Sequence, residues 1–500
     1  MTDNEEQPRP RRVPSGIPTL DRLLCGGLLH GDLYVVVGVP GAGKTILGNQ
    51  ACFAHVAQGG RAAYVTLLAE THGHMLAHLR ALAFFDPAPI GASLLYYNGY
   101  DAVESGGLAG LVTFLRGVMR DDKVTLLVLD GLFTANEAAE SSRAFRTFLI
   151  NLQAYGEAVG CTTLLLTQQP QGGVRDPSYT IVDGVIELGT TRLGPRIVRQ
   201  LEIHKFRGGA YLRGQHVFEI GAAGITVHPR IEAALGAPAL EVGGHRPRVS
   251  TGLPPLDAML HGGLLSGSTT MLLAPLGSGK TLLGLHVLDA GAQAGEPGLH
   301  FGFYETPPLL VETAAAIGLD LGRQVADGRI TVLWQPPLEE SEDALAERLL
   351  AMVAERGIRR LFIDGLDGFL QAAVYPERMG RFFTALTLAL RARGVTTLIS
   401  VELPTLFGTT AAIPLPGVSA IAENIVVLRA VERRSQLYRL LSIVKTRGSG
   451  HDPTIRAFTI GETGLALADT SASAEEILDG TVPPAAPPTA GVDETGGQRA

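Results

Sequence analysis

Short, almost uninterrupted apolar runs punctuate the chain at residues 34–37, 64–67, 125–129 and 163–166, with longer stretches of helical character between them. Near-continuous apolar runs are how parallel strands covered on both faces look; a strand with one wet face would alternate. The stretches between them are long enough for crossover helices, so the pattern predicts an α/β fold with a mainly parallel sheet flanked by helices. The same rhythm returns in the second half, at 270–273, 300–305, 360–364 and 397–401.

That recurrence is a duplication. Ser15-Gly16-Ile17-Pro18-Thr19-Leu20-Asp21 returns as Thr251-Gly252-Leu253-Pro254-Pro255-Leu256-Asp257, and Gly43-Lys44-Thr45 returns as Gly279-Lys280-Thr281, both 236 residues later. Gly160-Cys161-Thr162-Thr163-Leu164 matches Gly394-Val395-Thr396-Thr397-Leu398 with little drift, and Lys205-Phe206-Arg207-Gly208 matches Lys445-Thr446-Arg447-Gly448. So long a period means a repeated domain rather than a solenoid. The boundaries that follow are a charged tail at 1–12, a first domain at 13–232, an Ala/Gly/Pro linker at 233–248, a second domain at 249–469 and a Pro-rich, disordered tail at 470–500.

Composition adds three constraints. The chain of 500 residues is 46% hydrophobic, and none of its apolar runs is long enough to cross a bilayer. Its net charge of −8 gives no large basic surface for nucleic acid. The three cysteines, Cys25, Cys52 and Cys161, lack metal-ligand spacing; they read as buried thiols in a reducing compartment, the cytoplasm. More telling is the scarcity of lysine: of 41 basic residues only Lys44, Lys123, Lys205, Lys280 and Lys445 are lysines. Where arginine serves almost everywhere, each lysine raises the question of whether a compact ammonium is needed there.

Two of the five close glycine-rich loops between an apolar strand and a helical stretch. Gly38-Val39-Pro40-Gly41-Ala42-Gly43-Lys44-Thr45 is the first and Ala274-Pro275-Leu276-Gly277-Ser278-Gly279-Lys280-Thr281 the second, with Ala274 where the first loop has Gly38. Strand, glycine loop and helix together make a phosphate-binding loop: backbone N–H groups curl around phosphate oxygens, and the helix N-terminus adds partial positive charge. The ATP contacts are read as Gly38, Gly41, Ala42, Gly43, Lys44, Thr45 and Ile46, and as Gly277, Ser278, Gly279, Lys280, Thr281 and Leu282. Lys44 and Lys280 suit the β- and γ-phosphates, and Thr45 and Thr281 suit Mg²⁺. Asp130 and Asp364 end matched apolar strands and complete the Mg²⁺ set. Glu70 and Glu305 end the second strand of each half and are the candidates for orienting and deprotonating water. Gln168 and Glu402 end a further matched pair of strands, where a polar group could sense the γ-phosphate. Lys205 with Arg207, and Lys445 with Arg447, stand two apart, so each pair shares a strand face. Far along the chain from their own loops, they are suited to reach the phosphates of a neighbouring subunit, as arginine fingers do.

With these motifs in place, residues 13 to 465 resemble the KaiC family of tandem RecA-like ATPases. The most specific stretches are Val418-Ser419-Ala420-Ile421-Ala422-Glu423-Asn424-Ile425 and Val444-Lys445-Thr446-Arg447-Gly448-Ser449-Gly450-His451-Asp452. The resemblance implies two RecA-like domains, a homohexameric double ring with ATP between subunits, and ATPase activity in the first domain. It also implies nucleotide contacts across the interface from Lys205, Arg207, Lys445, Arg447 and His451, and a signalling-protein partner. In the clock members of the family the second domain phosphorylates itself on an adjacent Ser and Thr. Here those positions read Ser419-Ala420, so Ser419 is the one acceptor left. The family's paired glutamates after the second strand read Ala69-Glu70 and Tyr304-Glu305, one carboxylate short in each domain, and the tail differs from the clock protein's regulatory tail.

Two other readings compete with an ATP-hydrolysing switch. A RecA- or RadA-type DNA-dependent ATPase would carry basic mobile loops, but residues 168–178 hold only Arg175 and residues 402–417 hold no basic residue. An ATP-binding scaffold with little turnover would fit the single glutamates.

Overall fold

The structure is a computed structural model describing residues 11–67, 72–168, 176–236, 246–403, 421–448, 450–462 and 464–481. The chain divides into two compact units, Met1–Gly236 and Ala237–Ala500. Each is built around a nine-stranded sheet.

In the first unit the strands, in chain order, are β1 (Leu33–Gly38), β2 (Ala62–Thr66), β3 (Leu94–Asn98), β4 (Leu126–Asp130), β5 (Thr162–Thr167), β6 (Gly184–Leu193), β7 (Arg196–Phe206), β8 (Gln215–Gly221) and β9 (Gly224–His228). Across the sheet they run β9-β8-β7-β6-β1-β5-β4-β2-β3. Strands β1 to β6 are mutually parallel, and β7 to β9 extend the sheet antiparallel through hairpins. The second unit repeats this with β10 (Thr269–Ala274), β11 (Gly298–Gly302), β12 (Ile330–Trp334), β13 (Arg360–Asp364), β14 (Thr396–Glu402), β15 (Asn424–Arg433), β16 (Gln436–Lys445), β17 (Arg456–Gly461) and β18 (Gly464–Leu467), in the order β12-β11-β13-β14-β10-β15-β16-β17-β18. In both units the loop strand, β1 or β10, lies inside the sheet between two parallel neighbours.

The apolar runs are explained by burial on both faces. Along β1, Tyr34 and Val36 join one core with the loop helix α1 (Lys44–Ala57), while Leu33, Val35 and Val37 join a second core with helices Tyr100–Asp121 and Ser142–Val159 on the other face. Successive side chains point to opposite faces, so every position of such a strand must be apolar.

Two expectations need correction. Part of the tail read as disordered is the helix Ala472–Asp479. Its Ala474 and Ile477, three apart on one face, pack with Leu440 of β16 and partly buried Val431, Tyr438, Ile455 and Ala457. And Cys25 is exposed; only Cys52 and Cys161 are buried. Cys25 sits at the turn after the short helix Pro18–Leu23, at φ 51°, where the backbone turns its side chain away from the core.

The second unit holds a buried ion cluster. Arg378, 8% exposed, donates to Glu342 Oε1 (2.7 Å) and to both oxygens of Asp343 (2.7 and 2.9 Å), while Glu342 Oε2 accepts from the Val374 amide (3.0 Å). Burial, and then the Asp343 charge, push the Glu342 pKa up; Arg378 pulls it back.

Candidate functional site

Each glycine loop leaves the end of its strand and turns at two left-handed glycines, Gly41 (φ 77°) and Gly43 (φ 100°) in the first, Gly277 (φ 71°) and Gly279 (φ 91°) in the second. L-side chains rarely adopt this region. Gly43 and Gly279 sit immediately before α1 and before α2 (Lys280–Gln293), which makes each lysine the first helical residue. The Gly38/Ala274 difference has a local cause: a Cβ at Gly38 would lie 2.6 Å from the Leu188 carbonyl oxygen of β6, so the first loop requires glycine there, whereas Ala274 is accommodated fully buried.

In the first loop Lys44 Nζ donates to the carbonyls of Gly38 (2.7 Å) and Val39 (3.0 Å). Burial lowers its pKa, and the charge of Asp130 opposes that. Thr45 Oγ1 donates to Asp130 Oδ2 at 3.0 Å, so the hydroxyl and carboxylate expected to hold a metal already meet. In the second loop Lys280 Nζ donates to the carbonyls of Ala274 (3.4 Å) and Pro275 (3.2 Å) and to Glu402 Oε2 (3.2 Å), and Thr281 Oγ1 donates to Asp364 Oδ2 at 2.8 Å.

Sequence reasoning missed the residues around each aspartate. Tyr64, fully buried on β2, donates its hydroxyl to Asp130 Oδ2 at 2.6 Å. The matched residue on β11 is His300, 1% exposed, whose Nε2 lies 3.6 Å from Asp364 Oδ2. Ser400 of β14 donates to Asp364 Oδ1 (2.9 Å) and accepts from the Gly365 amide (2.8 Å); its first-unit counterpart is apolar Leu166. The two carboxylates consequently shift in opposite directions. Burial raises the Asp130 pKa, against hydrogen bonds from Tyr64 and Thr45. For Asp364 burial also pushes upward, but His300, Thr281 and Ser400 together carry it below its ordinary value. A signal was present, since Tyr64 and His300 are large polar-tipped residues at the same place in matched, mostly apolar strands, 236 residues apart.

The second loop borders a cavity of about 510 Å³, lined among others by Gly277, Lys280, Thr281, Leu282, Glu305, Asp364 and Glu402. Glu305 lies three residues beyond the end of β11. Its Oε2 is buried and has no hydrogen-bond partner among the described residues. Burial, then the Asp364 charge, raise its pKa, the direction a base working near neutral pH needs. Glu70 and Ser419 lie outside the described residues. Gln168 is exposed at the end of β5.

Three of the paired cations, Lys205, Arg207 and Lys445, hold carbonyls of their own chain. Lys205 Nζ donates to the carbonyls of Val182 (2.5 Å), Thr180 (2.7 Å) and Tyr179 (3.2 Å), and Arg207 donates to those of Thr180 (2.8 Å) and Ile181 (3.2 Å). Lys445 Nζ donates to the Ala422 carbonyl (2.9 Å), and His451 Nδ1 lies 3.0 Å from Thr446 Oγ1. Lys445, Arg447 and His451 do not line the cavity beside Lys280.

This donor set fits a nucleotide with Mg²⁺: a hydroxyl and a carboxylate within hydrogen-bond reach of each other, at the helix N-terminus beside a lysine, are hard oxygen ligands of the kind Mg²⁺ takes. Among the described residues no helix is long and apolar enough to cross a membrane.

Comparison with known proteins agrees with the geometry. The family profile described as "ATPase: KaiC" matches residues 13–232 and again 249–471. The chain is similar to the circadian clock oscillator protein KaiC of Picosynechococcus sp. (24% identity, 94% of this chain and 92% of that protein) and of Thermostichus vulcanus (25%, 94% and 92%). It is also similar to the circadian clock protein KaiC3 of Synechocystis sp. (25%, 94% of each). With two matched repeats covering most of its length and a nine-stranded, mostly parallel sheet in each, the chain belongs to the KaiC family of ATPases.

Proposed function

We propose that this chain binds ATP with Mg²⁺ at both loops and hydrolyses it, working in the cytoplasm as a homohexameric ring-shaped switch. The observation that carries this reading is the repeated arrangement of a lysine lodged against its own loop and a threonine hydroxyl on the strand-end aspartate, built in the same register in both units. Lys44 and Lys280 would exchange loop carbonyls for phosphate oxygens, a charge-assisted and therefore stronger interaction. Thr45 with Asp130, and Thr281 with Asp364, would hold Mg²⁺, which supplies charge neutralisation at the transferring phosphate. Glu305, and Glu70 in the first domain, would orient a water and take its proton onto a carboxylate oxygen. Lys205, Arg207, Lys445, Arg447 and His451 would complete each site from the neighbouring subunit, with Lys205, Arg207 and Lys445 released from the carbonyls they hold in the single chain.

Glu70→Gln and Glu305→Gln test the carboxylate role. Each is expected to cut the turnover of its own domain at least ~100-fold while nucleotide stays bound, as loss of a general base does. Unchanged phosphate release would remove that glutamate from the reaction. For phosphoryl transfer to the chain itself, Ser419 is the one acceptor. Incubation with ATP followed by intact-mass measurement is expected to show at most one phosphate per chain, absent in Ser419→Ala; a phosphate elsewhere would reject this assignment.

A further inference from the structure

The two domains differ in charge next to the loop lysine. Asp367 and Glu402 of the second domain correspond to exposed Phe133 and exposed Gln168 of the first, at the same 234-residue offset that relates Asp364 to Asp130. Both acids line the cavity with Lys280. Glu402 Oε2 stands 3.2 Å from Lys280 Nζ, with 46% of the Glu402 side chain and 13% of the Lys280 side chain exposed. Burial, then the Glu402 charge, push the half-buried Asp367 upward, and Lys280 offsets this. In the first domain the corresponding ammonium donates to loop carbonyls, which carry no net charge.

A loop lysine of this kind serves the β- and γ-phosphates, while the loop's backbone amides cradle the rest. A terminal phosphate arriving at Lys280 therefore meets an ammonium already held by a carboxylate and adds negative charge beside Glu402 and Asp367. A diphosphate leaves that outer position to Glu402. We propose that Glu402 is a specificity-determining residue that sets the second domain toward nucleoside diphosphate relative to triphosphate, so that this domain retains its product while the first, with Gln168, does not. The inference rests on the second loop being a nucleotide site.

Trp334, the single tryptophan, reports on this cavity: its Nε1 donates to the carbonyl of Phe303, which lines it (3.1 Å). The full chain is titrated with Mg-ADP and with a non-hydrolysable Mg-ATP analogue, following Trp334 emission, with Lys280→Ala identifying the second-site signal. If emission is silent, equilibrium dialysis reads the same two constants, with Lys280→Ala removing one of two sites. Glu402→Gln is expected to shift the ADP-to-ATP-analogue preference toward the triphosphate by about twofold to fivefold, the scale of a partly exposed charge pair. Gln168→Glu is expected to shift the first site the opposite way. Unchanged preference in Glu402→Gln, or loss of turnover without a change in preference, overturns the inference. One nucleotide per chain in the unsubstituted protein, unaffected by Lys280→Ala, overturns instead the nucleotide reading beneath it.

Discussion

Replacing Lys44 and Lys280 together by alanine is expected to lower steady-state phosphate release by roughly 10³-fold, the upper end of what one preorganised charge-stabilising donor contributes. Each ammonium stands at the first residue of its loop helix, within 3.5 Å of two loop carbonyls. Alanine removes the charge without disturbing the left-handed glycines that shape the loop. The single variants should divide the activity between the domains: Lys44→Ala removes the first domain's share and Lys280→Ala the second's. Sizing the same proteins with and without ATP separates a switch from a scaffold. A scaffold would lose its ring in Lys44→Ala and show little turnover to lose. Turnover within tenfold of the unsubstituted chain in the double variant would mean that neither loop lysine acts on a reacting phosphate.

Arg378→Met is expected to destabilise the second domain by about 3–5 kcal/mol, the range for removing one partner of a buried ion pair. For a domain of this size that lowers Tm by about 10 °C. Methionine fills much of the space but leaves Glu342 and Asp343, which are 0% and 2% exposed, without their cation. The pH dependence has a definite sign. Glu342 already has a raised pKa in the fold, so its ionisation costs stability as pH rises through that value. Removing Arg378 takes away the opposing influence and raises the value further. The variant's penalty should therefore be largest near neutrality and shrink on acidification toward pH ~5, read by thermal melts across that window. A penalty that does not change with pH would mean that lost packing, not uncompensated charge, is the cause. Adding Glu342→Gln and Asp343→Asn to Arg378→Met should recover part of the loss.

The sheet, the duplication and the family were legible in the chain because they depend on local order: a strand buried on both faces must be apolar throughout, and the loop motif joins strand to helix without a gap. What lay hidden depends on which strands become neighbours. Tyr64 reaches Asp130 across 66 residues because β2 pairs with β4, Thr66 opposite Asp130. Ser400 reaches Asp364 from the adjoining strand, and Glu402 reaches Lys280 across 122 residues. Periodicity carries no information about such register. The helix Ala472–Asp479 is hidden for the same reason: its Ala- and Ser-rich stretch looks unstructured until β15 to β17 supply an apolar surface for Ile477. Rarity marks out Lys205 and Lys445, yet it does not foretell that each donates to carbonyl oxygen of its own chain.

The placement of the hydroxyls on the two aspartates has a mechanical consequence. In Asp130 both hydroxyl contacts, from Thr45 and Tyr64, fall on Oδ2. In Asp364 they are divided, Thr281 on Oδ2 and Ser400 on Oδ1, with Ser400 itself fastened to the Gly365 amide. A carboxylate held at one oxygen can pivot about that point, whereas one held at both resists rotation. By its hydroxyl contacts the first domain's carboxylate is thus steadied from one side, and in the proposed metal-holding role it would follow a coordination sphere as it rearranges. The second domain's carboxylate, steadied by hydroxyls on both oxygens, would in the same role keep a single arrangement for longer.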